Sequence, residues 1–257
     1  MQRYFILEDD NWKEKQVMIT GDDVHHIRRV MRAKSGDEII CVDGEGQAAL
    51  CEIHDISDDH VTAYILEWLQ EDAELPVDVT IAQGLPKGDK FEFILQKGTE
   101  LGATGFIPVQ AERSVAVWDN KKMRKKVKRF KKIVKEASEQ CHRSKIPFIE
   151  EIFDLNRLLE VSGQYDALLF AYEEEAKKET FQSFAEALKQ LQTGAKLLIC
   201  IGPEGGFSEV EANRLKEHGF QPVRFGPRIL RTETAALYAL SSISYHFEEL
   251  GWNECRQ

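Results

Sequence analysis

Apolar positions along the chain follow two rhythms. Over residues 1–72 they alternate with polar ones in short runs: Tyr4-Phe-Ile-Leu7, Gln16-Val-Met-Ile19, Glu38-Ile-Ile-Cys-Val42, Ala48-Ala-Leu-Cys-Glu-Ile53 and His60-Val-Thr-Ala-Tyr-Ile-Leu66. A period of two puts one face of each run in a core and the other in water, so the pattern predicts strands. Their number and spacing predict a small β-barrel. Asp43-Gly44-Glu45-Gly46 predicts a hairpin turn between two of them. One helix, over residues 22–33, interrupts the strands. Val24, Ile27 and Val30 or Met31 lie on one face of it, and His25, Arg28, Arg29 and Arg32 on the other. The polar stretch 70–76 ends in Pro76 and predicts a boundary, which gives a first domain over 1–72 and a second over 73–257.

Beyond that boundary apolar runs alternate with amphipathic helices. Residues 77–82, 106–109, 166–172 and 196–201 predict buried strands, with shorter extended pieces at 146–149 and 223–225. Helices are predicted over 89–101, with Asp89 as cap, over 119–141, from Asp154, and over 180–192 with Phe181, Phe184, Leu188 and Leu191 inward. Ser208 with Glu211 three residues on predicts a capping box that opens another helix, and Thr232 opens a long last one. Strand and helix in repeated alternation predict an α/β fold with a mostly parallel sheet covered on both faces.

Charge changes this picture locally. The net charge of −10 argues against a general nucleic-acid binder, but residues 1–75 hold 7 Lys/Arg against 18 Asp/Glu while the rest is balanced. Residues 121–132 carry nine basic residues in twelve and no acid. Met123, Val127, Phe130, Val134, Ala137 and Cys141 form the apolar stripe of that helix, and the remainder lacks the interleaved Glu that would offset its self-repulsion. Such a strip predicts contacts to a polyanion, with phosphates supplying affinity but no sequence reading. Five cysteines, odd in number and without CxxC, predict reduced thiols, and no His or Cys spacing predicts a metal. No apolar run approaches the ~20 residues of a membrane span. Acids stand where a signal peptide would be hydrophobic, so the expectation is a cytoplasmic protein.

Two glycine-bearing loops close consecutive predicted strands: Gly202-Pro-Glu-Gly-Gly206, and the segment from Gly226-Pro227 to Ala235. Loops at the strand ends of an α/β sheet are where ligands bind. Neither is a phosphate loop, a GxGxxG turn or a GxSxG elbow. Glu204 in the middle of the first repels phosphate and suits a ligand with cationic or hydrogen-bond-donor groups. The glycines let such a ligand lie against bare backbone.

GPEGGFS at 202–208 together with RILRTETA at 228–235 resembles the signature of the ribosomal RNA small subunit methyltransferase E family, in the SPOUT superfamily of knotted, S-adenosylmethionine-dependent methyltransferases. Arg3-Tyr-Phe and His25-His-Ile-Arg resemble that family's PUA-like barrel. Gly88-Asp-Lys-Phe-Glu, Glu100-Leu-Gly102, Glu139-Gln140 with Arg143, and Phe170-Ala-Tyr-Glu173 match in order, so the resemblance spans essentially the whole chain. It implies an α/β-knot in the second domain, with the C-terminal segment threaded into a deep trefoil knot against the usual rule. It also implies a homodimer with each cofactor site near the partner, and methylation of N3 of one uridine in 16S ribosomal RNA.

The resemblance implies S-adenosyl-L-methionine held by three loops, with Phe170, Ala171, Ile201, Gly202, Pro203, Glu204, Gly205, Gly206, Phe225, Leu230, Thr234 and Ala235 as cofactor-binding residues. The uracil N3–H is a weak acid, so the site needs a base and a cation for the developing anion. Arg231 is the expected cation, and Glu204 or Glu233 the proton acceptor. Glu233 in a first helical turn is also what dipole complementarity alone places there. The expected RNA contacts are Arg28, Arg29, Arg32, Lys121, Lys122, Arg124, Lys125 and Arg143, the last on a flanking phosphate. The alternative is a non-catalytic RNA-binding or ribosome-assembly module on the same scaffold. A small-molecule enzyme would fit the acidic balance but leaves the basic strip unexplained.

Overall fold

The computed structural model describes residues 1–71, 73–118, 120–172 and 183–250, and the side chains of residues 120–122 are not among the described ones. The chain divides into two compact units, Met1–Glu74 with Ser138–Lys145, and Leu75–Ala137 with Ile146–Gln257.

In the first unit the strands are β1 (Arg3–Phe5), β2 (Trp12–Lys13), β3 (Gln16–Thr20), β4 (Glu38–Val42), β5 (Ala48–Ile56) and β6 (His60–Leu69). They form one sheet in the order β1-β4-β5-β6-β3-β2, with β1 parallel to β4 and the other pairs antiparallel. Alternation sends Val17, Ile19, Ile39, Cys41, Cys51, Ile53, Val61 and Ala63 into one core. The β4–β5 hairpin closes where the Asp43 carboxylate accepts the backbone N–H groups of Glu45 and Gln47, at 2.9 and 2.8 Å.

The predicted helix over 22–33 is shorter and changes pitch. It begins as α1 (Asp22–His25) and widens into a π-turn over His26–Val30, with Arg32 at φ 54°. Val24 and Ile27 are buried as expected, but Val30 and Met31 are exposed. The cause is the five-residue turn: the Met31 N–H bonds to the His26 carbonyl at 2.9 Å, and each added residue rotates the next apolar position off the core face.

Segment Ser138–Lys145, expected in the second domain, groups with the first. Glu74 explains this: its carboxylate takes the Arg143 guanidinium and the backbone N–H groups of Ser144 and Lys145, the latter at 3.0 and 3.1 Å. Arg3, also buried, pairs with Glu71 and donates to the Arg143 carbonyl at 3.1 Å.

In the second unit the strands β7 (Asp78–Gly84), β8 (Gly105–Val109), β9 (Phe148–Ile149), β10 (Ala167–Ala171), β11 (Lys196–Ile201) and β12 (Gln221–Val223) are all parallel, in the order β12-β10-β11-β7-β8-β9. The last strand falls earlier than the 223–225 expected, and beyond it an isolated bridge joins Arg224 to Ser183. One face of the sheet is covered by α2 (Lys90–Glu100), α3 (Asn120–Gln140), α5 (Phe184–Leu188) and α7 (Thr232–Ser244), which contribute Phe91, Ile94, Phe130, Val134, Phe184, Leu188, Ala239 and Leu240. The other is covered by α4 (Leu155–Ser162) and α6 (Glu209–Glu217), through Leu158, Leu159, Ala212 and Leu215.

Local signals explain most of these boundaries. Asp154 caps α4 through the Arg157 N–H at 2.8 Å, and Ser183 with Glu186 forms a capping box on α5. Asp89 stands at the cap position of α2, but its side chain makes no cap bond. Of the helix expected over 180–192, the described residues form α5 over Phe184–Leu188; Phe181, like Glu173–Glu175 and Asp119, lies outside the described residues.

The capping box on α6 forms as the spacing predicts, with the Glu211 carboxylate taking the Ser208 N–H at 2.8 Å. Its other oxygen takes the Glu112 N–H, also at 2.8 Å. Glu211→Ala leaves both donors unpaired, and urea denaturation is expected to show a loss of about 2 kcal/mol; an unchanged midpoint would contradict this.

Candidate functional site

A cleft of about 930 Å³ opens in the second unit at the C-terminal ends of β10, β11 and β12. Three segments wall it: Ala171 and Tyr172, the loop from Ile201 to Phe207, and the stretch from Val223 to Thr232. Parallel strands deliver their C-terminal ends to one side of a sheet, which is why loops so distant in sequence meet there.

The first loop lies flat for lack of side-chain bulk. A Cβ on Gly84, at the end of β7, would fall 2.5 Å from the Pro203 nitrogen, so only glycine lets the loop rest there. A Cβ on Gly202 would come within 3.0 Å of Gly206 backbone atoms across the turn. That turn is closed by the Gly206 N–H on the Pro203 carbonyl at 2.9 Å. Arg113 ties down the outer part by donating to the carbonyls of Gly205 and Phe207, at 3.2 and 3.3 Å.

The second segment is locked to the first through Thr232. Its buried hydroxyl donates to the Gly202 carbonyl at 2.6 Å and accepts from Gln83 Nε2 at 2.7 Å. One side chain thus joins the first turn of α7 to the ends of β7 and β11.

Lys90, in the first turn of α2, lies on the cleft wall and bridges two carboxylates. Its Nζ is 3.0 Å from Glu204 Oε1 and 3.2 Å from Glu233 Oε2. The Lys87 N–H adds a bond to Glu204 at 3.1 Å. Burial pushes the Glu204 carboxyl up, but the Lys90 ammonium and the backbone donors outweigh it, and the carboxyl sits below its ordinary range. The Lys90 ammonium is raised in turn, chiefly by its bond to Glu204.

Of the residues expected to hold a cofactor, Ala171, Ile201, Gly202, Pro203, Glu204, Gly205, Gly206, Phe225, Leu230 and Ala235 all line this cleft, as does Arg231. Two do not. Phe170 is fully buried in the core between the sheet and α6, its ring packed near Tyr172 and Phe207. Thr234 is exposed and off the cleft, because two residues of α-helix turn it ~200° from Thr232. Lys90, Arg113, Asn213, Lys216 and Arg224 also line the cleft and were not named as site residues from the sequence, while Tyr172 and Arg228 line it from within the quoted motifs. Lys90 stands inside the Gly88-Asp-Lys-Phe-Glu motif, the one signal that pointed toward it.

The expected RNA contacts fare unevenly. Arg29, Arg32, Arg124 and Lys125 are exposed, and Arg28 is half-buried and paired with Asp58. The Lys121 and Lys122 side chains lie outside the described residues. Arg143 is 2% exposed and its guanidinium is engaged by Glu74, so it is a buried structural cation and is not available to a phosphate. Among the described residues no cluster of His, Cys, Asp and Glu could hold a metal ion, and no helix is long and apolar enough to cross a membrane.

Comparison with known proteins agrees with this architecture. Residues 73–244 match the family described as an RNA methyltransferase domain, and residues 19–66 match an RNA methyltransferase PUA domain. The chain is 49% identical to the ribosomal RNA small subunit methyltransferase E of Bacillus subtilis (strain 168), over 97% of this chain and 98% of that one. It is 35% identical to the Synechocystis sp. (strain ATCC 27184 / PCC 6803 / Kazusa) protein of the same name, over 90% and 73% of the two chains. A crystal structure of the Neisseria gonorrhoeae enzyme of that name, bound to S-adenosyl methionine, superposes with a TM-score of 0.82 at 29% identity, covering 96% of this chain and 98% of that one. The fold and the match to its catalytic domain define an RNA methyltransferase. The chain belongs to the ribosomal RNA small subunit methyltransferase E family.

The Glu204–Lys90 pair makes stability depend on pH. A carboxyl held below its ordinary value of 4.5 contributes fully above that pH and loses the contribution as pH falls through the folded-state value. The lysine, raised above 10.5, contributes below that pH and loses it above. The stability difference between wild type and Glu204→Gln is therefore expected to be largest between these limits and to shrink in urea titrations as the pH falls below the lower one. A difference that grows on acidification would contradict the pairing.

Proposed function

We propose that this protein transfers a methyl group from S-adenosyl-L-methionine to N3 of a specific uridine in 16S ribosomal RNA. The observation that carries the reading is the cleft itself: two loops matching the family signature meet across the Thr232 bridge and wall a space of nucleoside-cofactor size. The residues there suit that cofactor. Ile201, Phe225 and Leu230 offer apolar surface and backbone groups for an adenine, and the glycine loop offers bare backbone. Glu204 and Glu209 face the cleft with the negative charge that a sulfonium or ammonium attracts.

When bound, S-adenosylmethionine supplies an electrophilic methyl that passes to the uracil N3 lone pair while sulfur keeps the electrons of the broken bond. The protein's part is to make that lone pair available. Arg231, exposed on the cleft wall at the N-terminus of α7, holds a uracil carbonyl and offsets the anion. Glu204 or Glu233 accepts the N3 proton. Ala171, Pro203, Gly205, Gly206 and Ala235 complete the cofactor contacts.

Residues 1–72 act as a PUA-like barrel that recognises RNA through Arg28, Arg29 and Arg32, and residues 73–257 as the knotted catalytic domain. The family resemblance supports the knot, together with a strand order that sets β11 between β10 and β7. Arg124 and Lys125, exposed on α3, contact the RNA backbone, with Lys121 and Lys122 in the same role. The working form is a cytoplasmic homodimer acting on ribosomal RNA within the small subunit.

Calorimetric titration with S-adenosylhomocysteine tests the cofactor assignment. Wild type is expected to bind about one ligand per chain. Gly202→Val, which crowds the turn against Gly206, is expected to bind at least about tenfold more weakly, or ~1.4 kcal/mol. Absence of binding by folded wild type would overturn the assignment.

A further inference from the structure

We infer that Lys90 is a positioning residue, holding Glu204 of the glycine loop, which lines the cleft, and Glu233 of α7, which lies beside it, on one ammonium so that the Glu204 carboxylate faces the substrate as proton acceptor. The inference rests on the methyl-transfer reading for the identity of the proton, and on the observed contacts alone for the pairing.

The two carboxylates come from segments far apart in sequence and converge on one side chain, at 3.0 and 3.2 Å from Lys90 Nζ. Two negative charges facing one site disfavour each other's ionised form, and an ammonium between them offsets that repulsion. A protonated carboxyl accepts nothing from the uracil N3. With the ammonium between them, one takes the proton while the other remains paired.

Lys90 sits on a firm support, since the neighbouring Phe91, Ile94 and Leu95 anchor α2 in the core. Other charges around the cluster have different partners. Glu92 of α2 pairs with Arg129 at 2.5 Å, and Arg113 is bonded to backbone carbonyls of the glycine loop. Arg231 lines the same cleft, yet among the described residues no ion pair joins it to either carboxylate. Lys87 meets Glu204 through its backbone N–H. The pairing of these two acids therefore falls to Lys90.

Two variants test this, Lys90→Met and Lys90→Arg, each with two readouts. The first needs no turnover: the Glu204 carboxyl is followed by carbon-13 NMR across acid pH in the cofactor-free protein, its signal assigned by loss in Glu204→Gln. Lys90→Met is expected to move its titration to higher pH, and Lys90→Arg to restore it. The second is the pH profile of methyl transfer to 16S ribosomal RNA. Lys90→Met is expected to lose about tenfold more activity than wild type on going from about pH 8 to about pH 5.5, with Lys90→Arg rescuing.

A Glu204 titration unmoved in Lys90→Met overturns the pairing. A moved titration with an unshifted acid limb overturns the role in proton acceptance. Wild type that transfers no methyl group overturns the methyl-transfer reading and with it the role assigned here, while the NMR titration still decides the pairing.

Discussion

A buried hydroxyl must find partners, and the Thr232 hydroxyl finds its two on separate strand ends. Gln83 closes β7 and Gly202 follows β11, so satisfying Thr232 fixes the first turn of α7 against both. The geometry of the cleft follows from that constraint. Arg231 precedes Thr232 and faces the opening, while Glu233 follows it and reaches Lys90. The loop before α7 is drawn toward the glycine loop, which can lie close only because Gly84 and Gly202 carry no side chain. Leaving these groups unpaired would cost about 1–3 kcal/mol each, enough to loosen every element that meets there.

Electrostatics then divides the labour between the units. The acidic balance of residues 1–75 works against indiscriminate attraction to nucleic acid, while exposed cations sit at particular places: Arg29 and Arg32 in the first unit, Arg124 and Lys125 on α3. Among the described residues that line the cleft, cationic Lys90, Arg113, Lys216, Arg224, Arg228 and Arg231 outnumber acidic Glu204 and Glu209. Cationic side chains are thus concentrated at particular places on a chain that carries net negative charge. Within the cleft wall, Lys90 pairs with Glu204 and holds its carboxyl below the ordinary range.

Much of this was legible in the sequence because it is local. The capping box of Ser208 and Glu211, the buried run of β11, and the glycine loop that follows are each written within a few residues. What escaped depends on partners far along the chain. Lys90 meets Glu204 and Glu233 only after the sheet has brought α2, the glycine loop and α7 together. Arg143 read as a surface cation until Glu74, distant in sequence, claimed it. Phe170 and Thr234 stand in the right motifs but face away from the cleft, one by strand alternation and one by helical rotation. Val30 and Met31 left the core because a π-turn replaced the expected α-helix, a change that apolar spacing does not announce.

The proposed reaction requires the cleft to position one uridine of small-subunit ribosomal RNA for methylation at N3. The most direct test is to incubate the purified protein and isotopically labelled S-adenosylmethionine with small ribosomal subunits lacking the modification. The RNA is then digested and its nucleosides identified by mass spectrometry. Label is expected in N3-methyluridine, at about one per subunit. Label in another nucleoside would contradict the assigned chemistry, and no label in RNA from a protein that binds the cofactor would contradict the assigned substrate.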